Sequence, residues 1–193
     1  QGRADYAFLQ HIIKSMNPQT GRCAILFPHG VLFRSEEDAM REKLIKGDYL
    51  DCVIGLAANL FYNSPMEACI VICRMNKKPE KRGKVLFINA INDVERKNAQ
   101  SYLTDEHIRH IAEAYARYDN DEGFASVATI QDIENNRFSL SIPLYVKGSS
   151  IDETIKDERS LQEKYDAWEK ASASLHESYS LLNEMLGKED GNV

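Results

Sequence analysis

Four apolar runs constrain this chain more than any other feature. Residues 22–27 (RCAILF), 49–56 (YLDCVIGL), 68–75 (ACIVICRM) and 84–90 (KVLFINA) are dominated by Val, Ile, Leu, Phe and Cys. Residues 22–27 show no polar alternation, which suits a strand covered on both faces. Helix-period segments lie between and around these runs. Residues 5–16 place Phe8, Leu9, Ile12, Ile13 and Met16 at spacings of 3 and 4, and Asn17-Pro18 ends the segment, since proline disfavours the helical region at the residue before it. Ser35 caps a second helix, with Asp38 as an acidic variant of the capping box, Met40, Leu44 and Ile45 as its buried stripe and Gly47 as its stop. A third helix spans 105–118, capped by Thr104, with Ile108, Ile111, Ala112 and Tyr115 on one side. Residues 124–147 read as short strands and turns. Strand and helix periods alternate, so the fold class is α/β, a sheet layered with helices.

Beyond Gly148-Ser149-Ser150 the character changes. Leu161, Tyr165, Trp168, Ser172, Leu175, Tyr179, Leu182 and Leu186 recur at steps of 4, 3, 4, 3, 4, 3 and 4, a heptad seam held for nearly four repeats. Such a seam suits a helix seeking a partner helix; packing back onto its own domain is the alternative. The chain is therefore divided into a body, residues 1–147, and a heptad-patterned helix, 151–190.

The charge follows this division. Of 30 acidic and 24 basic residues, 11 acidic and 5 basic lie from Ile151 onward, so the tail carries the whole excess of −6 and the body is neutral. A net acidic chain argues against free-standing nucleic-acid binding, which draws most of its affinity from phosphate neutralisation; any DNA contact is local or shared with a partner. No apolar run approaches the ~18 residues of a membrane span, and no basic, apolar signal-peptide pattern opens the chain. A start at Gln1-Gly2-Arg3, without an initiator Met, predicts a piece of a longer protein. Cys23, Cys52, Cys69 and Cys73 each sit in apolar stretches without zinc or redox spacing. They read as reduced core cysteines and imply a reducing, cytoplasmic compartment.

The search for chemistry is largely negative. None of the ten glycines forms a GxGxxG or phosphate loop. Asn17-Pro18-Gln19 reads as a turn, and the serines show no nucleophile elbow. His107 and His110 share a helix face at i,i+3, but no third ligand is visible, so they read as solvated or capping groups and no metal is expected. One segment stands apart. Asn59-Leu60-Phe61-Tyr62 places two aromatics between buried strands, where ligands of open α/β sheets gather. Exposed aromatics there stack on a planar base, worth ~1–3 kcal/mol. The alternative is that Phe61 or Tyr62 plugs the domain.

Five phrases in order resemble one family. Gly2-Arg3-Ala4-Asp5-Tyr6-Ala7-Phe8-Leu9-Gln10-His11 resembles the segment after the NPPF motif in the modification subunits of type I restriction-modification systems, which are adenine-N6 DNA methyltransferases. Gly21-Arg22-Cys23-Ala24-Ile25-Leu26-Phe27-Pro28-His29-Gly30-Val31-Leu32-Phe33 is similar to their G-R-strand-P-x-G-x-L segment. Ile54-Gly55-Leu56 with Asn59-Leu60-Phe61-Tyr62 and Cys69-Ile70-Val71-Ile72 resembles IGLPxNLFY…CILVL, with Ala57-Ala58 in place of the usual proline-containing pair. Residues 83–90 and 140–146 match two more. The resemblance covers residues 2–147.

It implies the C-terminal half of a Rossmann-like, S-adenosylmethionine-dependent methyltransferase sheet, with the second and third strands antiparallel, followed by a long C-terminal helix. It implies that Phe61, with Asn59 and Tyr62, binds a flipped-out adenine, and that Asp5, Tyr6 and Phe8 border the cofactor. The implied helix, through Leu161, Tyr165, Trp168, Leu175, Tyr179 and Leu182, docks the DNA-specificity subunit, and a homodimer through that helix is another use of it. DNA and, in the full complex, a restriction subunit are the remaining implied partners. The glycine motif and NPPF loop are not in this sequence, so no catalytic residue is assigned and the chain alone is expected to be inactive. Two other readings remain: a non-catalytic module that docks a specificity subunit, and a nicotinamide oxidoreductase, which the missing glycine fingerprint disfavours.

Overall fold

The computed structural model describes residues 4–62, 64–98 and 100–147, and eleven helical positions between 162 and 178. The chain divides into two compact units, Gln1–Ser149 and Ser150–Val193. The first is built on a five-stranded mixed sheet whose strands lie in the order β1 (Arg22–Pro28), β3 (Ala68–Arg74), β2 (Leu50–Leu56), β4 (Lys84–Ala90), β7 (Ala125–Thr129).

Strand β2 (Leu50–Leu56) is buried at every position. On one side it pairs antiparallel with β3 (Ala68–Arg74), with Val53 opposite Val71. On the other it runs parallel to β4 (Lys84–Ala90), with Val53 opposite Phe87. Strand β1 (Arg22–Pro28) pairs antiparallel with the far side of β3, and β7 (Ala125–Thr129) pairs antiparallel with β4. Hence β1, β2 and β4 point the same way, and their carboxyl ends, Pro28, Leu56 and Ala90, lie along one edge of the sheet. The antiparallel β2–β3 pair is the one the resemblance implied.

The connection from β3 to β4 passes the amino end of β2, and a buried lysine holds it there. Lys77 Nζ donates to Asp48 Oδ1 at 2.6 Å and to the Lys84 carbonyl at 2.8 Å, while Asp48 Oδ2 accepts from the Gly83 amide at 3.1 Å. Beside it Asp51 sits at a bulge in β2, fully buried. Its carboxylate accepts from the Tyr115 hydroxyl at 2.7 Å and faces Arg74 Nε at 3.6 Å, and its carbonyl accepts from the Tyr118 hydroxyl at 2.9 Å.

The two faces of the sheet are covered unequally. On one, helices α1 (Asp5–Ser15), α2 (Asp38–Lys46) and α4 (Ile130–Asn135) bury Tyr6, Leu9, Leu44, Ile45 and Ile133 against Val53, Val71, Val85 and Phe87. On the other, α3 (Asp105–Arg117) sets Ala114, with Tyr118 just beyond it, against Cys52, Leu86 and Ile88. Ile70 and Ile72 of β3 are only partly buried there, and Ala24 and Leu26 of β1 are exposed.

Several expectations are corrected. β1 is an edge strand with alternating burial, because the helices cover one of its faces only. Ser35 lies in a 3₁₀ turn (Ser35–Glu37) and caps nothing through its side chain; α2 begins at Asp38, which ion-pairs with Arg41. The helix does stop at Gly47, but Asp48 (φ 54°) takes the left-handed turn, its carboxylate tied to Lys77 and Gly83. Phe8 and Met40 are exposed, while Tyr6 is buried. On α3, Ala112 and Ile108 face outward and Ala114 and Tyr118 face inward. Residues 124–147 contain the short helix α4, started by Thr129, whose hydroxyl accepts from the Asp132 amide. Thr104 does cap α3, in a box closed by the His107 ring, and Asn17 does make a turn, its side chain accepting from the Gln19 amide at 2.9 Å. All four cysteines are free thiols.

In the second unit the described positions are helical, and Tyr165 and Trp168 are exposed with ring centroids 5.9 Å apart. Leu161, Leu175, Tyr179, Leu182 and Leu186 lie outside the described residues. No described helix is long and apolar enough to cross a membrane.

Lys77→Met should lower unfolding stability by ~1–3 kcal/mol, since it leaves the Lys84 carbonyl without its donor and Asp48 without its cation. Urea titration checks this: the midpoint falls while the slope is unchanged.

Candidate functional site

The carboxyl ends of the three like-directed strands gather the loops that follow them, as ligand sites of open α/β sheets do. After β2, Ala57 is still buried, but Asn59 turns left-handed (φ 59°), a conformation asparagine tolerates better than most residues. The turn carries Phe61 and Tyr62 out of the core. Phe61 is 37 % exposed and Tyr62 83 % exposed. Phe61 also pairs with Ser64 in a one-residue bridge, the Ser64 amide donating to the Phe61 carbonyl at 3.1 Å. The ring thus projects from a braced turn. Tyr62 therefore does not plug the domain, and Phe61 lies partly covered at the trough, outside both core clusters.

Phe61 lines an open apolar trough of about 520 Å³ with Leu26, Leu56, Leu60, Ile70 and Tyr102. The trough exists because α3 leaves the β1–β3 side of this face bare. Its lining is mostly hydrocarbon, with the rings of Phe61 and Tyr102. Such a surface suits a planar ring held by stacking.

A hairpin forms the trough's far rim. Strands β5 (Glu95–Lys97) and β6 (Gln100–Tyr102) pair antiparallel, with Arg96 opposite Ser101. The Ser101 amide donates to the Asn59 carbonyl at 2.9 Å and so ties the hairpin to the aromatic turn. No sequence period marks this element, because its strands are three residues long; Asn98, left-handed at φ 50°, is the local signal of the turn.

The loop after β1 brings in α1. Arg34 pairs with Asp5 at 2.9 Å and with Glu37 at 3.2 Å, and Tyr6 donates its hydroxyl to the Val31 carbonyl at 3.0 Å. Tyr6 is only 5 % exposed, and burial raises its hydroxyl pKa well above the ordinary value. Phe8 points outward, 65 % exposed. Asp5, Tyr6 and Phe8 therefore have three different environments: an ion pair, a core anchor and open solvent. His29, in the same loop, pairs with Glu67 at 3.1 Å and joins the ends of β1 and the aromatic loop. His107 and His110 are occupied by the helix cap and by Asp93 at 2.6 Å, and no group of three possible metal ligands occurs among the described residues.

Residues 1–154 match the family model described as N-6 DNA methylase. The chain is 32 % identical to the type I restriction enzyme MjaVIII methylase subunit of Methanocaldococcus jannaschii, over 98 % of its own length and 32 % of that protein's. A crystal structure of the type I restriction-modification methyltransferase subunit of Streptococcus thermophilus matches 75 % of the chain, and 30 % of its own, with a TM-score of 0.70 at 36 % identity. The EcoKI M protein shares the fold over 95 % of the chain and 44 % of its own, with a TM-score of 0.61 at 16 % identity. The chain belongs to the N-6 DNA methylase family, among the methylase subunits of type I restriction enzymes. It spans about a third of the length of the curated relatives it matches.

Burial separates the two aromatic candidates experimentally. Tyr6→Ala should cost ~3–5 kcal/mol, as for other large buried rings, whereas Phe61→Ala should cost less than about 1 kcal/mol. Equal losses in a urea titration would place Phe61 in the core after all.

Proposed function

We propose that this chain forms the base-holding wall of a DNA adenine methyltransferase, with Phe61 stacking on an adenine turned out of the duplex and Asn59 and Tyr62 flanking it. The observation that carries this reading is the braced, solvent-facing Phe61 at the mouth of an apolar trough on the carboxyl edge of the sheet. Extruding a base costs a few kcal/mol, and stacking of ~1–3 kcal/mol offsets part of it. The reaction transfers a methyl group from S-adenosylmethionine to adenine N6, and the groups holding that cofactor and the amino group come from outside these 193 residues, with Asp5, Tyr6 and Phe8 bordering the cofactor side.

In this reading the sheet is half of a Rossmann-like methyltransferase sheet that continues past β1. β1 pairs on one side only among the described residues and leaves Ala24 and Leu26 exposed, an edge that proteins ordinarily cover or blunt. The complete enzyme works in a reducing, cytoplasmic setting on DNA, with specificity and restriction subunits as partners.

In the complete parent enzyme, Phe61→Ala should cut methyl transfer at least tenfold while the far-ultraviolet spectrum and unfolding midpoint stay near those of the unaltered protein. A tritiated-methyl assay that remains within a factor of two removes Phe61 from the site.

A second role, docking the DNA-specificity subunit through the C-terminal helix, is favoured by the exposed neighbouring rings of Tyr165 and Trp168. Tyr165→Asp with Trp168→Asp should abolish co-purification with that subunit without altering the first unit's stability. Undiminished pull-down rejects the docking role, and a shift in mass only between copies of this chain points to a homodimer instead.

A further inference from the structure

Strand register brings together two of the four cysteines that lie far apart in sequence. In the β1–β3 pair, Cys23 sits directly opposite Cys73. Directly opposite side chains share one face of a sheet. Here it is the helix-covered face, where Cys73 is fully buried and Cys23 half-buried against the same core. The Met75 amide donates to the Gly21 carbonyl at 3.0 Å and the His29 amide to the Glu67 carbonyl at 3.1 Å. The hydrogen-bonded pairs of this ladder therefore fall on the odd positions of β1 and include Cys23 with Cys73. Such pairs stand about 5.5 Å apart between Cα atoms, within the roughly 4.4–6.8 Å that a disulfide spans. The other two cysteines have no such neighbour. Cys52 faces Ile72 and Leu86, and Cys69 faces Phe27 and Gly55.

Both thiols of the pair are free in this structure. Hydrogen bonding from the Cys73 thiol lowers that of Cys23 to about 7, against the upward pull of burial. The same interaction, with burial added to it, raises Cys73. Burial alone pushes Cys69 up to about 12, and Cys52, wholly buried, also rises. The pair thus sets a partly exposed sulfur with thiolate character beside a buried one. That is the arrangement of an attacking and a resolving cysteine.

From this arrangement we infer that Cys23 and Cys73 are a site of reversible oxidation by hydroperoxides, closing to a disulfide that ties the edge strand β1 to β3. The Cys23 thiolate attacks the terminal peroxide oxygen, an S–O bond forms and the O–O bond breaks. The departing hydroxide or alkoxide takes up the proton that Cys23 gave up. The Cys73 sulfur then attacks the sulfenic sulfur, an S–S bond forms, and hydroxide leaves as water with the Cys73 proton. The two sulfurs give up two electrons, and the hydroperoxide takes them. In reducing compartments the disulfides that do form are mostly transient ones of this kind. The inference is independent of the base-holding reading, because the pair lies on the face of the sheet opposite the trough.

The test treats the complete methyltransferase with hydrogen peroxide at doses that leave its far-ultraviolet spectrum unchanged. The protein is then alkylated in denaturant and its peptides are mapped by mass spectrometry. The unaltered enzyme should yield the Cys23 and Cys73 peptides cross-linked, lighter by two hydrogens than the separate thiol peptides, and dithiothreitol should restore both thiols. Cys23 should be consumed roughly tenfold or more faster than Cys52 or Cys69. In Cys73→Ser the cross-link should vanish and dimedone should trap a sulfenic acid on Cys23. In Cys23→Ser the Cys73 thiol should survive. Recovery of both thiols at doses that already oxidise methionine overturns the site. So does a cross-link that appears only once the protein is unfolded, or oxidation of Cys52 and Cys69 at the same rate as Cys23.

Discussion

Everything in the first unit depends on covering β2, whose seven positions are all buried. A strand at the centre of a sheet must be shielded on both faces, and one of the seven is a carboxylate. Asp51 is tolerated because Tyr115, Tyr118 and Arg74 converge on its bulge. Unshared, such a charge would cost several kcal/mol. The same requirement fixes α3, since its last turn must deliver both tyrosines to one place. It also fixes the β3–β4 connection, which Lys77 pins across the amino end of β2. These bonds tie down the amino edge of the sheet, although Asp51 Oδ1 has no hydrogen-bond partner among the described residues, and the carboxyl edge is left to carry loops.

Unequal covering then makes the site. Three helices, α1, α2 and α4, close one face, whereas on the other α3 packs mainly on β2 and β4, touches β3 through Tyr115 and Arg74, and leaves Ala24 and Leu26 of β1 exposed. The bare remainder, from Leu26 to Ile70, becomes the floor of the trough, and the Phe61 turn and the hairpin become its rims. An apolar patch of this kind, bordered by an unpaired edge strand, is ordinarily covered or functional. The proposed continuation of the sheet past β1 and the proposed base in the trough answer to the same exposed surface from two sides.

The legible part of this structure was the part governed by long patterns. The apolar run at 84–90 coincides with its strand, those at 49–56 and 68–75 match β2 and β3 to within one residue, and Thr104 caps α3, because apolar runs and capping chemistry act locally. What the residues did not reveal depends on neighbours distant in sequence. β1 looked doubly covered because an apolar run carries no record of where it sits in a sheet. Tyr6 is buried in preference to Phe8 because its hydroxyl finds the Val31 carbonyl, 25 residues on. Gly47 was the natural place for a left-handed turn, yet Asp48 takes it, held by a lysine 29 residues away. At the site, the aromatic pair was legible as an oddity between strands. The hairpin that braces it was not, since three-residue strands leave no period to detect.

The chemistry of the trough matches what a wall of a methyltransferase pocket can contribute. Methyl transfer to an exocyclic amine needs the base out of the stack, held flat, and aligned with the donor; it does not need every wall to be reactive. Leu26, Leu56, Leu60, Ile70 and Phe61 present hydrocarbon to the space in front of them, and the Tyr102 hydroxyl at the rim is bonded to Glu95. Holding that surface open requires the turn to be stiff. The left-handed Asn59, the Phe61–Ser64 bridge and the Ser101–Asn59 bond supply stiffness within a few residues of the ring. A mobile Phe61 would fold back over Leu60 and Ile70 and bury itself, which in water is the cheaper state for an isolated aromatic ring. The bracing keeps the ring outward, which is the orientation the proposed base-stacking role requires.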